Sequence, residues 1–469
     1  MSAAIVLRPG SASLADWRAI YRGAEFMLDP VARADVEASA ATLSAILDDA
    51  GPQRIAENGN GAHAVEPADK DAGHHSAPLV RLFAALKLAS LAQGVAGVGW
   101  EIVEALEERI SRDLLPAVPS NSTTDRQALA CLCGTLTGSG EMMAGDRRLP
   151  ADQALREAGL ALFTFNAHEK RALCSGSQLS TAAALAGLFE AERALQSAIV
   201  VSALSANGHE PTFHPRAHEL HRHAGQIEVA SALRDLRGAV ISMPAAEKKE
   251  NGAAAESRAG PLRLGACLDL LRQAGETLEI AANAPSEGHL VLWQSEAMLA
   301  GIEDASSAAV AADMVAMALR EIGELAKRRV ALVAARVEPE APDDNGHGPR
   351  GMATTIVGEI RRRSYPTGLE ASGTRRLLPM AGNVMRILAI EVLLAARLEP
   401  TRSEGPNSPS ESVRRLLRQF IPSSAASHGI APEELVVATD LVSSGALASA
   451  SGVALPSVAT PRRKELRTA

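Results

Sequence analysis

Aromatic side chains are scarce in this chain, with three Trp, two Tyr and seven Phe among 469 residues. Strand-rich folds draw on aromatic and β-branched residues, so an alanine- and leucine-rich chain this poor in aromatics argues for helices. Basic charge is not in excess either. Lys and Arg number 47 against 55 Asp and Glu, a net charge of −8, which leaves no electrostatic footprint for nucleic acid. No run of eighteen apolar residues offers a membrane span, and the N-terminal "MSAAIVLRPGSASLADW" has too short an apolar core for a secretory signal. The expectation is a soluble, cytoplasmic protein with neither a nucleic-acid nor a membrane partner. The four cysteines, Cys131, Cys133, Cys174 and Cys267, form neither a paired framework nor a zinc spacing. They read as small buried thiols.

What is present is helical periodicity. "PLVRLFAALKLASLAQG" carries Leu79, Leu82, Phe83, Leu86 and Leu91 at helical spacing, with Ser76 and Pro78 as start signals and Gly94 as a stop. "WEIVEALEERISRDLLP" follows in the same style, and further helices are predicted at 13–22, 31–49, 125–137, 151–159, 166–206, 214–238, 261–284, 306–335, 351–363, 376–398 and 431–445. Several exceed twenty residues and are apolar on more than one face, which belongs inside a bundle or an oligomer. The reading is a mainly α, all-α fold with a long helical bundle core. Polar, aperiodic linkers at 50–78, 244–261, 337–351 and 398–412 read as mobile loops. They suggest an N-terminal helical part over 1–120 with its polar loop at 50–78, a central long-helix bundle over 121–400, and a C-terminal helical segment and tail over 401–469.

Seven segments, in order, carry a family resemblance: "LRPGSASLADWRAI", "LVRLFAALKLASLAQGVAGV", "LCSGSQLSTAAALAGLFEAE", "HELHRHAGQIEVASALRDL", "LGACLDLLRQAGETLEIAANA", "AADMVAMALREIGELAKRRVAL" and "LAIEVLLAARL". Together they resemble the histidine and phenylalanine (aromatic amino acid) ammonia-lyases, from near Ile5 to the closing "GVALPS". The resemblance implies a mostly helical fold, a homotetramer whose active sites draw on more than one subunit, and elimination of ammonia from an aromatic amino acid. The electrophile in that family, MIO, forms from an Ala-Ser-Gly triplet when the glycine nitrogen attacks the alanine carbonyl and the serine loses water. Glycine permits such close backbone approach.

Here the triplet aligns with Ser122-Thr123-Thr124, followed by the family's aspartate as Asp125. A β-branched third residue is stiff and hindered, so MIO is not expected and these residues read as a helix cap. The triplet Ala371-Ser372-Gly373 lies far along the chain from that position and is taken as chance. The family's tyrosine base has no counterpart in "ENGNGAHAV", and neither Tyr21 nor Tyr365 falls at a base position. The Asn-Gly-Thr that helps hold substrate reads Ser175-Gly176-Ser177, and an apolar-aromatic pocket strip reads Ala300-Gly301-Ile302-Glu303-Asp304. A later Asn-Gln-Glu-Asp segment is deleted around "ASGTRRLLPMAG". Arg258, at the position that would hold the substrate carboxylate, is retained.

Loss of one general base costs about a hundredfold to ten-thousandfold. Loss of electrophile, base and orienting amide together leaves only binding, and uniform binding does not lower a chemical barrier. The sequence thus points to a catalytically degenerate homologue, a pseudoenzyme that binds a small carboxylate or acts as a regulatory or assembly partner, as a homotetramer or mixed with an active lyase. A second reading is an MIO-independent elimination enzyme with Glu303, Asp304 or a linker histidine as base. A third is metal binding by His214, His218 and His221, which share a helical face at i, i+4 and i+7. Against it, that segment matches a non-metal stretch of the family.

Overall fold

A computed structural model describes residues 4–50, 73–122, 124–206, 215–237, 252–337, 348–369, 371–398, 408–421 and 429–459, with side chains undescribed at 49–50, 215–217, 252–258 and 371–372. Most of the predicted linkers lie outside these residues. The predicted helices are present, among them Leu14–Tyr21, Ala32–Ala50, Ala77–Leu91, Trp100–Ser111, Asp125–Leu136, Ser306–Val337 and Leu377–Ala396. Strands are short and few among the described residues. Ile5–Leu7 pairs in parallel with Phe26–Leu28, and Leu114–Pro116, Glu141–Ala144 and Arg147–Pro150 form an antiparallel meander. His289–Leu292 forms a hairpin with Ala297–Ala300. The fold is mainly helical.

The chain divides into two compact units. The first takes Met1–Ala186, Glu276–Ala311 and Thr367–Arg375. Its central helix, Ala77–Leu91, is buried from Leu79 through Leu91 except at Arg81, which is why its sequence is apolar on all faces. Two polar residues, Lys87 and Ser90, share that burial. Leu114, Met142, Ala151, Ala154 and Leu155 form a satellite core beneath the meander.

The second unit takes Gly187–Gly275, Ala312–Pro366 and Arg376–Ala469 and is built from long helices. Helices Ala224–Arg237 and Gly252–Asn283 cross where both sequences carry glycine. A Cβ on Gly225 would lie 2.2 Å from the Gly265 carbonyl oxygen, and one on Gly265 would lie 2.4 Å from the Gln226 backbone. Backbones this close leave no room for a side chain. Within the helical core, Arg329 donates to both oxygens of fully buried Glu391 at 2.7 and 3.0 Å, and Ser205 Oγ adds a third bond at 2.7 Å. Every close partner that the carboxylate needs in a low-dielectric interior is thereby supplied.

Four boundaries differ from the sequence reading. The stretch 166–206 is two helices, Ala167–Cys174 and Gln178–Ser205, separated at Ser175-Gly176-Ser177 where Gly176 takes φ +123°. Likewise 214–238 is Pro215–His221 and Ala224–Arg237, parted by Arg222 at φ +60°. Helix Gly252–Asn283 begins inside the predicted linker 244–261 and carries Pro261 internally. Helix Pro409–Phe420 begins inside the predicted linker 398–412. Two helical stretches, Ala167–Ser205 and Gly373–Ala396, contain eighteen-residue windows apolar enough to cross a membrane, but those windows are 94% and 72% buried inside the protein. Core helices have this character.

Candidate functional site

The segment that opens helix Asp125–Leu136 is held by its neighbours before any side chain is considered. His74 pairs antiparallel with Pro119, the His75 N–H donates to the Val118 carbonyl at 2.9 Å, and the Ser120 N–H donates to the Gly73 carbonyl at 2.7 Å. The end of the predicted 50–78 loop is therefore an extended strand-like strip lying against residues 118–120. Ser122 is 2% exposed, and its Oγ has no hydrogen-bond partner among the described residues. Thr123 lies outside the described residues. Thr124 is the N-cap, with extended backbone at φ −131°, ψ 154°. Its hydroxyl accepts from the Gln127 N–H at 3.3 Å, and its own N–H donates to Gln127 Oε1 at 3.4 Å. This reciprocal capping box is what the polar run before an apolar helix predicts.

Asp125 ties this helix to the next. Its carboxylate accepts the Ser180 N–H at 2.8 Å and the Ser180 hydroxyl at 2.5 Å, at the start of helix Gln178–Ser205. Burial raises the Asp125 pKa, opposed by the Ser180 bonds and by the charge of Arg375. Arg375 sits in the 3-10 turn Ala371–Arg376, and burial lowers its pKa against the attraction of Asp125. Its Nε and Nη2 have no partner among the described residues. The His75 imidazole is pushed toward its neutral form by burial and then by the positive charges of Arg375 and His74. Its Nε2 is likewise without a partner among the described residues.

A second cluster surrounds the Ser175-Gly176-Ser177 turn. Lys87 Nζ, fully buried, donates to the Ala172 carbonyl at 2.7 Å, the Ser175 carbonyl at 2.8 Å and Glu287 Oε1 at 3.1 Å. Glu287 also accepts from Ser90 Oγ at 2.7 and 3.0 Å. Ser175 Oγ accepts the Gly288 N–H at 3.3 Å, while Gln178 Nε2 donates to Ser286 Oγ at 2.9 Å. A side chain on Gly288 would meet Glu303 Oε1 at 2.5 Å, so Ser175 and Glu303 flank one glycine. Glu303 Oε2 in turn lies 3.9 Å from Arg126 Nη2, at the start of the Asp125 helix. Asp304, exposed, accepts from the Ser306 N–H and hydroxyl at 3.0 and 2.6 Å, bonds that lower its pKa. Cys133 is buried and Cys131 and Cys174 are half-buried. A hydrogen bond between Cys133 and Cys174 raises the first thiol's pKa and lowers the second's.

The structure thus brings Ser122, Thr124, Ser175 and Glu303 into the same compact unit. Arg258 belongs to the other, in helix Gly252–Asn283, and its side chain lies outside the described residues. Of the three histidines, His214 lies outside the described residues. His218 and His221 both accept from Gln226 Nε2 through Nδ1, at 2.6 and 3.1 Å, so an amide organises the pair. No group of three metal-ligating side chains occurs among the described residues. The sequence reading missed Lys87, Glu287, His75 and Arg375. Lys87, in a run from Leu82 to Leu91 that is polar elsewhere only at Ser90, was the one available signal.

A family profile described as aromatic amino acid lyase matches residues 72–339. The chain belongs to the aromatic amino acid lyase family. Solved structures of the same fold include histidine ammonia-lyase from Trypanosoma cruzi, with TM-score 0.80 and 21% identity over 98% of this chain and 100% of that one. Phenylalanine aminomutase from Pantoea agglomerans gives 0.82 and 18%, over 94% and 99%. Ergothionase from Treponema denticola gives 0.81 and 16%, over 95% and 99%. At these identities the likeness is one of fold, and the chemistry of this lyase-family member rests on its own residues.

Proposed function

We propose that this lyase-family protein binds a small carboxylate and acts as a binding, regulatory or assembly protein without MIO-dependent elimination. The observation that carries the reading is Thr124. Forming MIO needs the third residue's nitrogen to close on the first residue's carbonyl, yet the Thr124 N–H and hydroxyl both engage Gln127, and its β-carbon is branched. The residues present do not fit the group. The absence of a tyrosine at the family's base position supports the same reading. The resemblance puts Arg258 at the position that would hold the carboxylate in the family.

Assembly belongs to this proposal. Leu262, Ile280, Val310 and Met317 expose apolar side chains on two of the long helices, which suits a homotetramer, alone or mixed with an active lyase, in the cytoplasm. One observation favours MIO-independent elimination as the second reading. His75, from the linker, is biased to its neutral form and keeps a ring nitrogen without a partner among the described residues, as a general base needs. Glu303 faces Arg126 and Asp304 is held by Ser306, so His75 is the strongest of the three base candidates. The purified protein, assayed for ammonia release against a panel of amino acids, alone and with a co-expressed lyase, is expected to release none alone. Release by the protein alone, abolished by His75→Asn, would establish the second reading instead.

A further inference from the structure

We propose that Arg375 and His75 form a seat for one carboxylate group beside the start of helix Asp125–Leu136. This rests on the reading of the protein as a carboxylate binder and assigns the anchoring residue differently. Nε and Nη2 are the two guanidinium nitrogens that face a carboxylate side-on, and both lack a partner among the described residues. Leaving such donors buried and unmade is costly. Asp125 is close enough to interact electrostatically with Arg375, but its oxygens already accept from Ser180. It steadies the guanidinium without satisfying the fork.

His75 lies close enough to feel the same guanidinium, and its backbone is pinned to Val118. Its free Nε2, as the N–H tautomer or on protonation, is a further donor to an anion. The unpartnered hydroxyl of Ser122, three residues before Asp125, adds a buried donor on the same segment. His75 and Asp125 thus both lie within electrostatic range of one guanidinium, and Asp125 already accepts from Ser180. The side-on fork of a single arginine, with its one positive charge, matches the two oxygens and single charge of a monocarboxylate.

Thermal shift and titration calorimetry with acetate, benzoate and inorganic phosphate test this on wild type, Arg375→Gln, Arg375→Lys and Arg258→Ala, with circular dichroism confirming helical content. A carboxylate should raise the wild-type melting temperature by mass action. Both Arg375 variants should lose roughly tenfold or more in affinity, Lys included because it lacks the fork. Arg258→Ala should retain binding, and phosphate should not compete. Carboxylate binding unchanged in Arg375→Lys, or abolished only by Arg258→Ala, would overturn the seat while leaving the binding function intact. Equal stabilisation by phosphate would overturn the assigned ligand class. If no carboxylate binds wild type, the functional reading itself falls.

Discussion

At the scale of single residues, Lys87 and Glu287 have the most at stake. They are 200 positions apart, both essentially fully buried, and bonded at 3.1 Å. Removing one member of a buried pair strands the other's charge, at a cost of about 3–5 kcal/mol. Lys87→Met should therefore lower unfolding free energy in denaturant titrations by that order, with Glu287→Gln in the same chain recovering part of it. A loss below about 1 kcal/mol would mean the pair is solvated after all. Pairings at such separation are invisible in one sequence, which shows only that an apolar helix contains an unexplained lysine. The candidate site was legible in the same partial way. The triplet position, Ser175 and Glu303 were found because the resemblance supplied them. Arg375 was hidden where the match breaks down, and His75 in a stretch read as loop.

At the scale of elements, periodicity located the helices well because burial on several faces leaves long apolar patterns. It could not locate their breaks. Ser175-Gly176-Ser177 has no proline and keeps the polar-apolar rhythm, yet Gly176 at φ +123° ends one helix and lets the next begin. Pro261 misleads in the opposite sense: it reads as a helix start and lies within a helix. Glycines in helices likewise read alike but differ in their surroundings. Gly265 meets the backbone of a neighbouring helix, whereas exposed Gly382 in helix Leu377–Ala396 meets nothing within 4 Å. Gly265→Ala should destabilise by about 1–3 kcal/mol through forced separation of the helices. Gly382→Ala should stabilise by about 0.5–1 kcal/mol through helix propensity. Matching thermal denaturation of the two variants checks this, and effects of the same sign would contradict the glycine contact.

For the whole molecule, burial lowers the pKa of both His75 and His168 below the ordinary histidine value near 6.5. The unfolded chain then binds more protons than the folded one as pH falls through about 6.5, so stability present above that value is lost below it. Melting temperature should drop on acidification from pH 8 to 5.5, and His75→Asn with His168→Asn should flatten that dependence. A melting temperature that rises over this range would contradict the burial of these rings. The proposal that this lyase-family chain carries no electrophile is open to intact-mass spectrometry of the purified protein, followed by peptide mapping. The expected mass equals that of the sequence, with unmodified peptides covering 122–124 and 371–373. Loss of two waters localised to residues 122–124 would contradict it.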